Sequence, residues 1–172
     1  MFENERITFT GGAEPIDGDT FWLGIHKIRL KGIEALEIGQ TCTKDGKPYD
    51  CIDRTFDEIK RVTSGDKVRC QVERGNFGKP AMDRNRYLAI CYSGEADIGR
   101  AMVTAGWALA TDDLYQTDEA EAKRGKRGLH ATEFVIPAEF RKSKRGESEC
   151  DEMERRCVKP KVGSPSSRKP LD

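Results

Sequence analysis

Apolar and polar residues alternate through the early part of the chain, in the pattern typical of half-buried β-strands. Two runs, residues 21–25 and 27–33, carry an apolar residue or a glycine at every second position, so each can line one face of a sheet. An Asp-Gly pair precedes the first run and favours a tight turn. We therefore predict a hairpin in which Ile25 lies on the same face as Phe21 and Leu23.

The same alternation predicts three more strands, at residues 5–10, 67–73 and 86–92. Apolar spacings of three to four residues predict helices that start near Cys51 and that cover residues 96–105, and residues 119–128 have the Ala, Glu and Lys composition of a third helix. Residues 38–50 are rich in glycine and predict a loop. Five short strands with intervening helices favour an α+β fold, mainly β, built as a small closed five-stranded barrel with about three packed helices.

The first predicted helix carries its own boundary signals. Asp50 is placed to cap its N-terminus and Gly65 to end it. Its apolar stripe consists of Ile52, Phe56, Ile59 and Val62. We expect this stripe to face the core and the charged residues between to face solvent.

The charge of the chain is unevenly distributed. Its 172 residues contain 30 basic and 30 acidic side chains, a formal net charge of zero. Residues 141–172 hold ten Lys or Arg against six Asp or Glu, so this segment carries about +4 and the remainder about −4. Nucleic-acid binding therefore requires a local basic cluster or the tail. The tail has few apolar residues, a composition typical of disorder.

Nothing in the sequence predicts a membrane protein, because no apolar run approaches the length of a membrane span. The N-terminal residues are polar and lack the apolar core of a signal peptide, which favours the cytoplasm. Disulfide formation would instead favour a processed form that is secreted or periplasmic.

The six cysteines match no zinc-binding spacing. Two pairs are candidates for disulfides or for buried thiols: Cys42 with Cys51, and Cys70 with Cys91. Cys150 and Cys157 lie in the tail. The two histidines, His26 and His130, are predicted to pack or to face solvent, because neither has a second ligand or nucleophile nearby in sequence.

Acidic residues stand at both ends of the predicted hairpin. Asp17 and Asp19 precede it, Glu34 and Glu37 follow it, and Arg29 lies in its second strand. Carboxylate oxygens suit Ca²⁺ or Mg²⁺, and a carboxylate can accept a proton from water. Arginine binds phosphate through two parallel hydrogen bonds. The set points to a phosphate-ester substrate; the alternative is a surface hairpin with solvated charges.

Two motifs around this hairpin resemble the staphylococcal nuclease (thermonuclease) family. They are Asp17-Gly18-Asp19-Thr20 and Gly32-Ile33-Glu34-Ala35-Leu36-Glu37, with Ile28-Arg29-Leu30 between them. The family pattern is Asp-Gly-Asp-Thr, Arg-Leu and Gly-Ile-Asp-Ala-Pro-Glu. Further similarity at residues 94–108 and 119–128 extends the resemblance over residues 7–141.

The resemblance implies a barrel of the oligonucleotide-binding (OB-fold) type and a metal-dependent endonuclease that cuts DNA or RNA, with single strands favoured and a monomer expected. Asp19 and Glu34 would bind one Ca²⁺, Glu37 would activate the attacking water, and Arg29 and Arg86 would hold the phosphate. Residues 1–141 would form the nuclease domain and residues 142–172 a charged tail.

The sequence departs from the family at three places. Glu34 replaces aspartate, Leu36 replaces proline, and the run before Arg86 is one residue short, so that Arg84 competes for the role of Arg86. An extra methylene moves a carboxylate by about an ångström, a shift that can cost on the order of 10²-fold in rate. A second function therefore stays open: an OB-fold module that binds nucleic acid or protein with weakened or lost catalysis.

Overall fold

The protein is described here by a computed structural model that covers residues 6–65 and 67–152. The strands are β1 (Thr8–Gly11), β2 (Ala13–Pro15), β3 (Thr20–Leu23), β4 (His26–Leu30), β5 (Ile33–Glu34), β6 (Cys42–Lys44), β7 (Lys47–Tyr49), β8 (Val68–Val72), β9 (Met82–Asp83), β10 (Arg86–Ser93), β11 (Ala96–Asp97), β12 (Leu109–Ala110) and β13 (Glu133–Phe134). The α-helices are α1 (Cys51–Thr63), α2 (Ile98–Thr104), α3 (Gln116–Arg124) and α4 (Pro137–Glu152). The predicted α+β class is confirmed.

The main sheet has the strand order β1-β8-β10-β4-β3-β2, with β9 and β11 also paired to β10. All its pairings are antiparallel except that of β4 with β10. Strands β5 and β12 form a second, two-stranded sheet. A third sheet has the strand order β13-β6-β7. The chain divides into the units Met1–Phe140 and Arg141–Asp172, and every strand belongs to the first.

The predicted hairpin is confirmed as β3 and β4, in which Phe21 pairs with Ile28. The prediction for Ile25 was wrong: β3 ends at Leu23, and Ile25 lies in the turn with 88% of its surface exposed. Gly24 adopts φ 61° at this turn, a left-handed conformation that ends the alternation.

The segment 38–50, predicted as a loop, contains the hairpin β6–β7. Its turn is Asp45-Gly46, with φ of 52° and 71°. This Asp-Gly pair is the strongest short-range hairpin signal, but the flanking strands are too short to show alternation. The strand predicted at 5–10 begins only at Thr8 and is followed by β2, which was not predicted.

Helix α1 buries the predicted face and adds positions that the apolar stripe did not include. Its most buried residues are Cys51, Thr55, Ile59 and Thr63, whereas Ile52, Phe56 and Val62 of the predicted stripe are partly buried and pack against the core. Asp50 makes no capping hydrogen bond with its side chain. Two threonines therefore point toward the protein interior, where they require hydrogen-bond partners.

The core lies between the main sheet and the helices, and Phe21, Ile28 and Ile59 are fully buried in it. The structure pairs Cys42 with Cys51 and Cys70 with Cys91 as disulfides, with Cα separations of 6.2 and 4.1 Å. The second joins directly opposed residues of β8 and β10.

Within the described residues, no helix has the length and apolar character needed to cross a bilayer. Helix α4 continues into the predicted tail as far as Glu152. The rest of that tail, residues 153–172, lies outside the described residues, as does the side chain of Cys150.

Candidate active site

A tight turn places Asp19 at the start of β3. The backbone amides of Ile16 and Asp17 both donate to the carbonyl of Thr20, at 2.9 and 3.2 Å. The Asp17 carboxylate accepts a hydrogen bond from the Asp19 amide at 3.0 Å, and this side-chain bond stabilises the turn. The Asp-Gly-Asp-Thr sequence thereby fixes the backbone on which the Asp19 side chain stands.

The Asp19 carboxylate is 5% exposed and joins three segments of the chain. Its Oδ1 accepts from the Thr20 hydroxyl at 2.8 Å and from Arg29 Nη1 at 3.1 Å. Its Oδ2 accepts from the backbone amide of Ala35 at 3.2 Å. A carboxylate offers about four acceptor positions, so about one position on Oδ2 remains for another ligand.

Arg29 and Arg86 meet at this carboxylate network from neighbouring parallel strands. Arg86 Nη1 donates to the Thr20 hydroxyl at 3.0 Å, and that hydroxyl in turn donates to Asp19. One oxygen of Asp83 lies 2.6 Å from Arg86 Nη2 and 3.7 Å from Arg29 Nε. The two guanidinium groups therefore share one acidic partner, and their side chains are only 17% and 14% exposed.

Of the two competing arginines, the structure places Arg86 in this network. Arg84 and Asn85 form the two-residue turn between β9 and β10, with φ of 48° and 62°. Two successive positive φ angles are the signature of the hairpin turn that matches strand twist. Asparagine is one of the residues that adopts positive φ most readily.

Glu34 and Glu37 lie on the segment whose Ala35 amide binds Asp19. Glu34 is at the end of β5 and is 8% exposed. Glu37 is half-buried, and its backbone is held by Gln40. The Gln40 Oε1 accepts from the Glu37 amide at 2.7 Å, and Gln40 Nε2 donates to the carbonyl of Val135 at 2.9 Å.

Three residues of this site were not predicted: Thr20, Asp83 and Gln40. Thr20 stands in the recognised motif, and its buried hydroxyl could have been suspected from its place beside Asp19. Gln40 follows no pattern, since its partners are Glu37 and the distant Val135. Only the folded backbone identifies it as the residue that holds Glu37 in place.

Burial raises the pKa of Asp17 to about 6, with a further contribution from the nearby negative charge of Asp19. Burial also lowers the pKa of the His130 imidazole. His26 stacks on Phe9 with ring centroids 3.8 Å apart. Of the two roles predicted for His26, packing or solvent exposure, the structure shows packing, with the residue half-buried at the start of β4.

The donors fit a hard cation in their chemistry, because Asp19 and Glu34 offer carboxylate oxygens and Asp19 retains acceptor capacity. Among the residues described, no group of three or more His, Cys, Asp or Glu side chains is arranged to hold a metal ion.

Gly18 brings α1, the tight turn and the Glu37 segment together. A Cβ added at Gly18 would overlap Thr55 Cγ2 and lie 2.5 Å from Ala35 Cβ. Neither neighbour is the end of a flexible side chain, so the backbone itself would have to move.

We expect Gly18→Ala to destabilise the protein by about 3 kcal/mol, the upper end for overpacking, because both neighbours are rigid. Thermal unfolding should show a Tm lower by roughly 6–12 °C. Gly12→Ala is the matched control, because nothing lies within 4 Å of a Cβ at that position. Equal Tm values for the two variants would contradict the close approach at Gly18.

No protein-family model matches the sequence. The chain is similar to the succinoglycan biosynthesis protein ExoI of Rhizobium meliloti (strain 1021), with 25% identity over 127 residues. The matched region is 69% of this chain and 63% of ExoI, so the chain spans less than two thirds of that relative.

Proposed function

We propose that this protein is a calcium-dependent endonuclease that hydrolyses phosphodiester bonds in single-stranded DNA or RNA. The observation that carries the proposal is the network around Asp19, in which one buried carboxylate and two guanidinium groups are linked through Thr20 and Asp83. Guanidinium groups arranged around one anionic oxygen are suited to bind a phosphate.

We further propose that the main sheet closes into a five-stranded barrel of the oligonucleotide-binding type, in which β1 and β2 count as one strand beside β3, β4, β8 and β10. The strands at the two ends of its order, β1 and β2, are consecutive in the chain and separated by Gly12 alone. A Cβ on Gly11 in β1 would lie 3.8 Å from the Leu23 side chain in β3. A strand that bends at this glycine and continues from one sheet edge to the other supports closure.

Formal charge supports a metal ion in the site. The carboxylates of Asp19 and Asp83 belong to the network and Asp17 lies next to it, and Glu34 and Glu37 stand on the segment whose Ala35 amide binds Asp19, against the two guanidinium groups of Arg29 and Arg86. A site with this excess of negative charge repels a phosphate unless a cation offsets it. Asp19 and Glu34 would hold one Ca²⁺, which would offset negative charge on the phosphate oxygens.

Asp83 indicates where the phosphate would bind. Its Oδ2 lies near both guanidinium groups, at 2.6 and 3.7 Å, where a phosphate oxygen could accept the same donors. The Asp83 side chain is 43% exposed and can turn toward solvent when the phosphate replaces it. Arg29 and Arg86 would then contact the non-bridging oxygens and stabilise the additional charge of the transition state.

Hydrolysis proceeds by attack of a water oxygen on phosphorus. As the new phosphorus–oxygen bond forms, the water gives a proton to the Glu37 carboxylate. The bond from phosphorus to the 5′-oxygen breaks, and the leaving oxygen takes a proton from solvent. The product strand ends in a 3′-phosphate. Gln40 contributes by holding the Glu37 backbone at a fixed position.

The second candidate is a binding module with little or no catalysis, and one observation favours nucleic-acid contact in either case. Phe77 is fully exposed in the loop that leads to Asp83 and adopts φ 58°. A fully exposed aromatic ring offers a platform on which bases stack. Stacking alone would give retention of single strands without cutting.

A cutting assay separates the two candidates. We expect a labelled single-stranded DNA to be cut in the presence of Ca²⁺ and to stay intact when a chelator removes the metal. Retention of intact DNA on a native gel, with Ca²⁺ present, would reject the enzyme in favour of the binding module. If the DNA is neither cut nor retained, the nuclease and nucleic-acid binding are both rejected, and a binding module with a protein partner is left.

A further inference from the structure

Residues 74–80, between β8 and β9, form a small hairpin that we call the arm. An antiparallel bridge pairs its first and last residues, Arg74 and Pro80. Nearer the tip, the Gly75 amide donates to the carbonyl of Lys79 at 2.8 Å. These contacts hold the two sides of the arm together, and the three residues at its tip are all exposed.

Phe77 at the tip is unusual in two respects. Its surface is completely exposed, so its ring contributes nothing to the core. Its backbone also adopts φ 58°, a left-handed conformation that is rare for a bulky side chain. Neither packing nor backbone preference accounts for a phenylalanine here, and a strained, exposed aromatic residue therefore points to contact with a partner.

The arm is basic in an otherwise acidic body. It contains Arg74 and Lys79, both exposed, and no acidic residue. Outside the arm, residues 1–140 hold 18 basic and 24 acidic residues, a formal charge of about −6. The nearest acidic residues along the chain, Glu73 and Asp83, each form an ion pair, at 3.0 and 2.6 Å. A negatively charged partner would therefore approach the body at the arm.

The arm leads directly into the candidate active site. Its second side continues through β9 to Asp83, whose carboxylate lies near the guanidinium groups of Arg29 and Arg86. Six residues separate Phe77 from Asp83, a span of at most about 20 Å of extended chain. A stacked strand rises about 3.4 Å per nucleotide, so about six nucleotides would cover this span. Footprints of this size are usual for single strands on a small barrel.

We propose that the arm anchors the substrate strand, with the Phe77 ring stacked on a base and Lys79 in contact with a backbone phosphate, a few nucleotides from the bond that is cut. This inference rests on the proposed function and defines its substrate as a single strand of several nucleotides. An aromatic ring and a neighbouring cation are the combination that binds single strands with little sequence preference, because every base has a face on which to stack.

Binding is measured first in a chelator, so that no strand is cut and Ca²⁺ contributes nothing. Phe77→Leu should weaken binding of an oligothymidylate of about twelve nucleotides by about 5- to 150-fold. Leucine is the matched substitution, because it keeps an apolar side chain and the Cβ and loses only the ring. Phe77→Trp should bind like the unmodified protein, and its added fluorescence should change when DNA binds.

Two further variants separate contact with DNA from a structural role. Phe77→Gly should keep or raise Tm, because glycine adopts positive φ without a steric penalty, while DNA binding should fall as in Phe77→Leu. Lys79→Ala should reduce the slope of log affinity against log salt by about 0.7, the value for one phosphate contact on a single strand. Lys123→Ala removes the same charge from α3 and should leave this slope unchanged.

Cutting in Ca²⁺ tests whether the arm acts at a distance from the bond that is cut. On the long oligothymidylate, Phe77→Leu should raise KM and leave kcat unchanged, because stacking on a distant base is equal in the ground state and the transition state. On a dinucleotide, which is too short to occupy both places, Phe77→Leu should match the unmodified protein.

The outcomes distinguish this inference from the function on which it rests. If Phe77→Leu binds the long strand as tightly as the unmodified protein, the arm is rejected, whether or not the protein cuts. If binding depends on Phe77 but Ca²⁺ brings no cutting, the arm stands and the nuclease is rejected. An equal rise in KM on the dinucleotide would overturn the anchoring role. A fluorescence change of Phe77→Trp with anionic lipid vesicles and not with DNA would assign the arm to a membrane surface and overturn the inference.

Discussion

Arg29→Ala is expected to lower the rate of DNA cutting by about 10³- to 10⁵-fold, the range found when a phosphate-contacting arginine is lost in other phosphoryl-transfer enzymes. This corresponds to roughly 4–7 kcal/mol of transition-state stabilisation. The guanidinium group is 17% exposed and joins Asp19 to Asp83, so it is held in place before the substrate arrives. Cutting should be measured with Ca²⁺ at saturating DNA, together with Tm to account for any loss of folded protein.

Two further variants separate charge from geometry at this position. Arg61→Ala removes the same charge from the exposed face of α1, where Arg61 pairs with Glu58, and should cut at the normal rate. Arg29→Lys keeps the charge but loses the planar pair of donors, so most of the activity should still be lost. Normal cutting by Arg29→Ala would rule out the assignment of this residue to the phosphate.

Local sequence signals accounted for the hairpin because they depend on residues that are adjacent in the chain. The alternation in β3 and β4 places Phe21 opposite Ile28, and no distant contact is needed to predict this pairing. The error at Ile25 has the same origin, since alternation continues past the last strand residue and does not reveal where a turn begins. Gly24 was the available signal.

The buried face of α1 shows what local patterns leave out. The apolar stripe predicted the core-facing side, against which Phe56 and Val62 pack, but it did not predict that Thr55 would be among the most buried residues. The close approach at Gly18 leaves room there only for small side chains. That constraint comes from a turn far away in sequence, so no periodicity within the helix could express it.

The site shows the same division between local and distant information. The motif spacing predicted that Asp19 and Arg29 would be near each other, and Thr20 pairs with Arg29 in the observed register. The resemblance added Arg86 to the predicted site. Its guanidinium donates to the hydroxyl of Thr20, which precedes it by 66 residues in the sequence. Asp83 pairs locally with Arg86 across the β9–β10 turn, but its approach to Arg29 and the bond of Gln40 to Val135 depend on long-range packing that neither source could predict.

Glu37→Gln is expected to reduce the cutting rate by about 10²- to 10⁴-fold, the usual contribution of a general base. Glutamine is nearly the same shape but cannot accept the proton of the attacking water. The Gln40 side chain holds the Glu37 backbone amide, which the substitution leaves in place, so the variant should keep the loop conformation and Tm. Binding of single-stranded DNA in Ca²⁺ should also persist, because Arg29 and Arg86 are untouched.

Glu121→Gln on the exposed side of α3 is the matched control and should cut normally. Loss of DNA binding together with cutting in Glu37→Gln would show that Glu37 supports the site's structure or its metal instead of activating water, whereas full activity would transfer the role of base to another group.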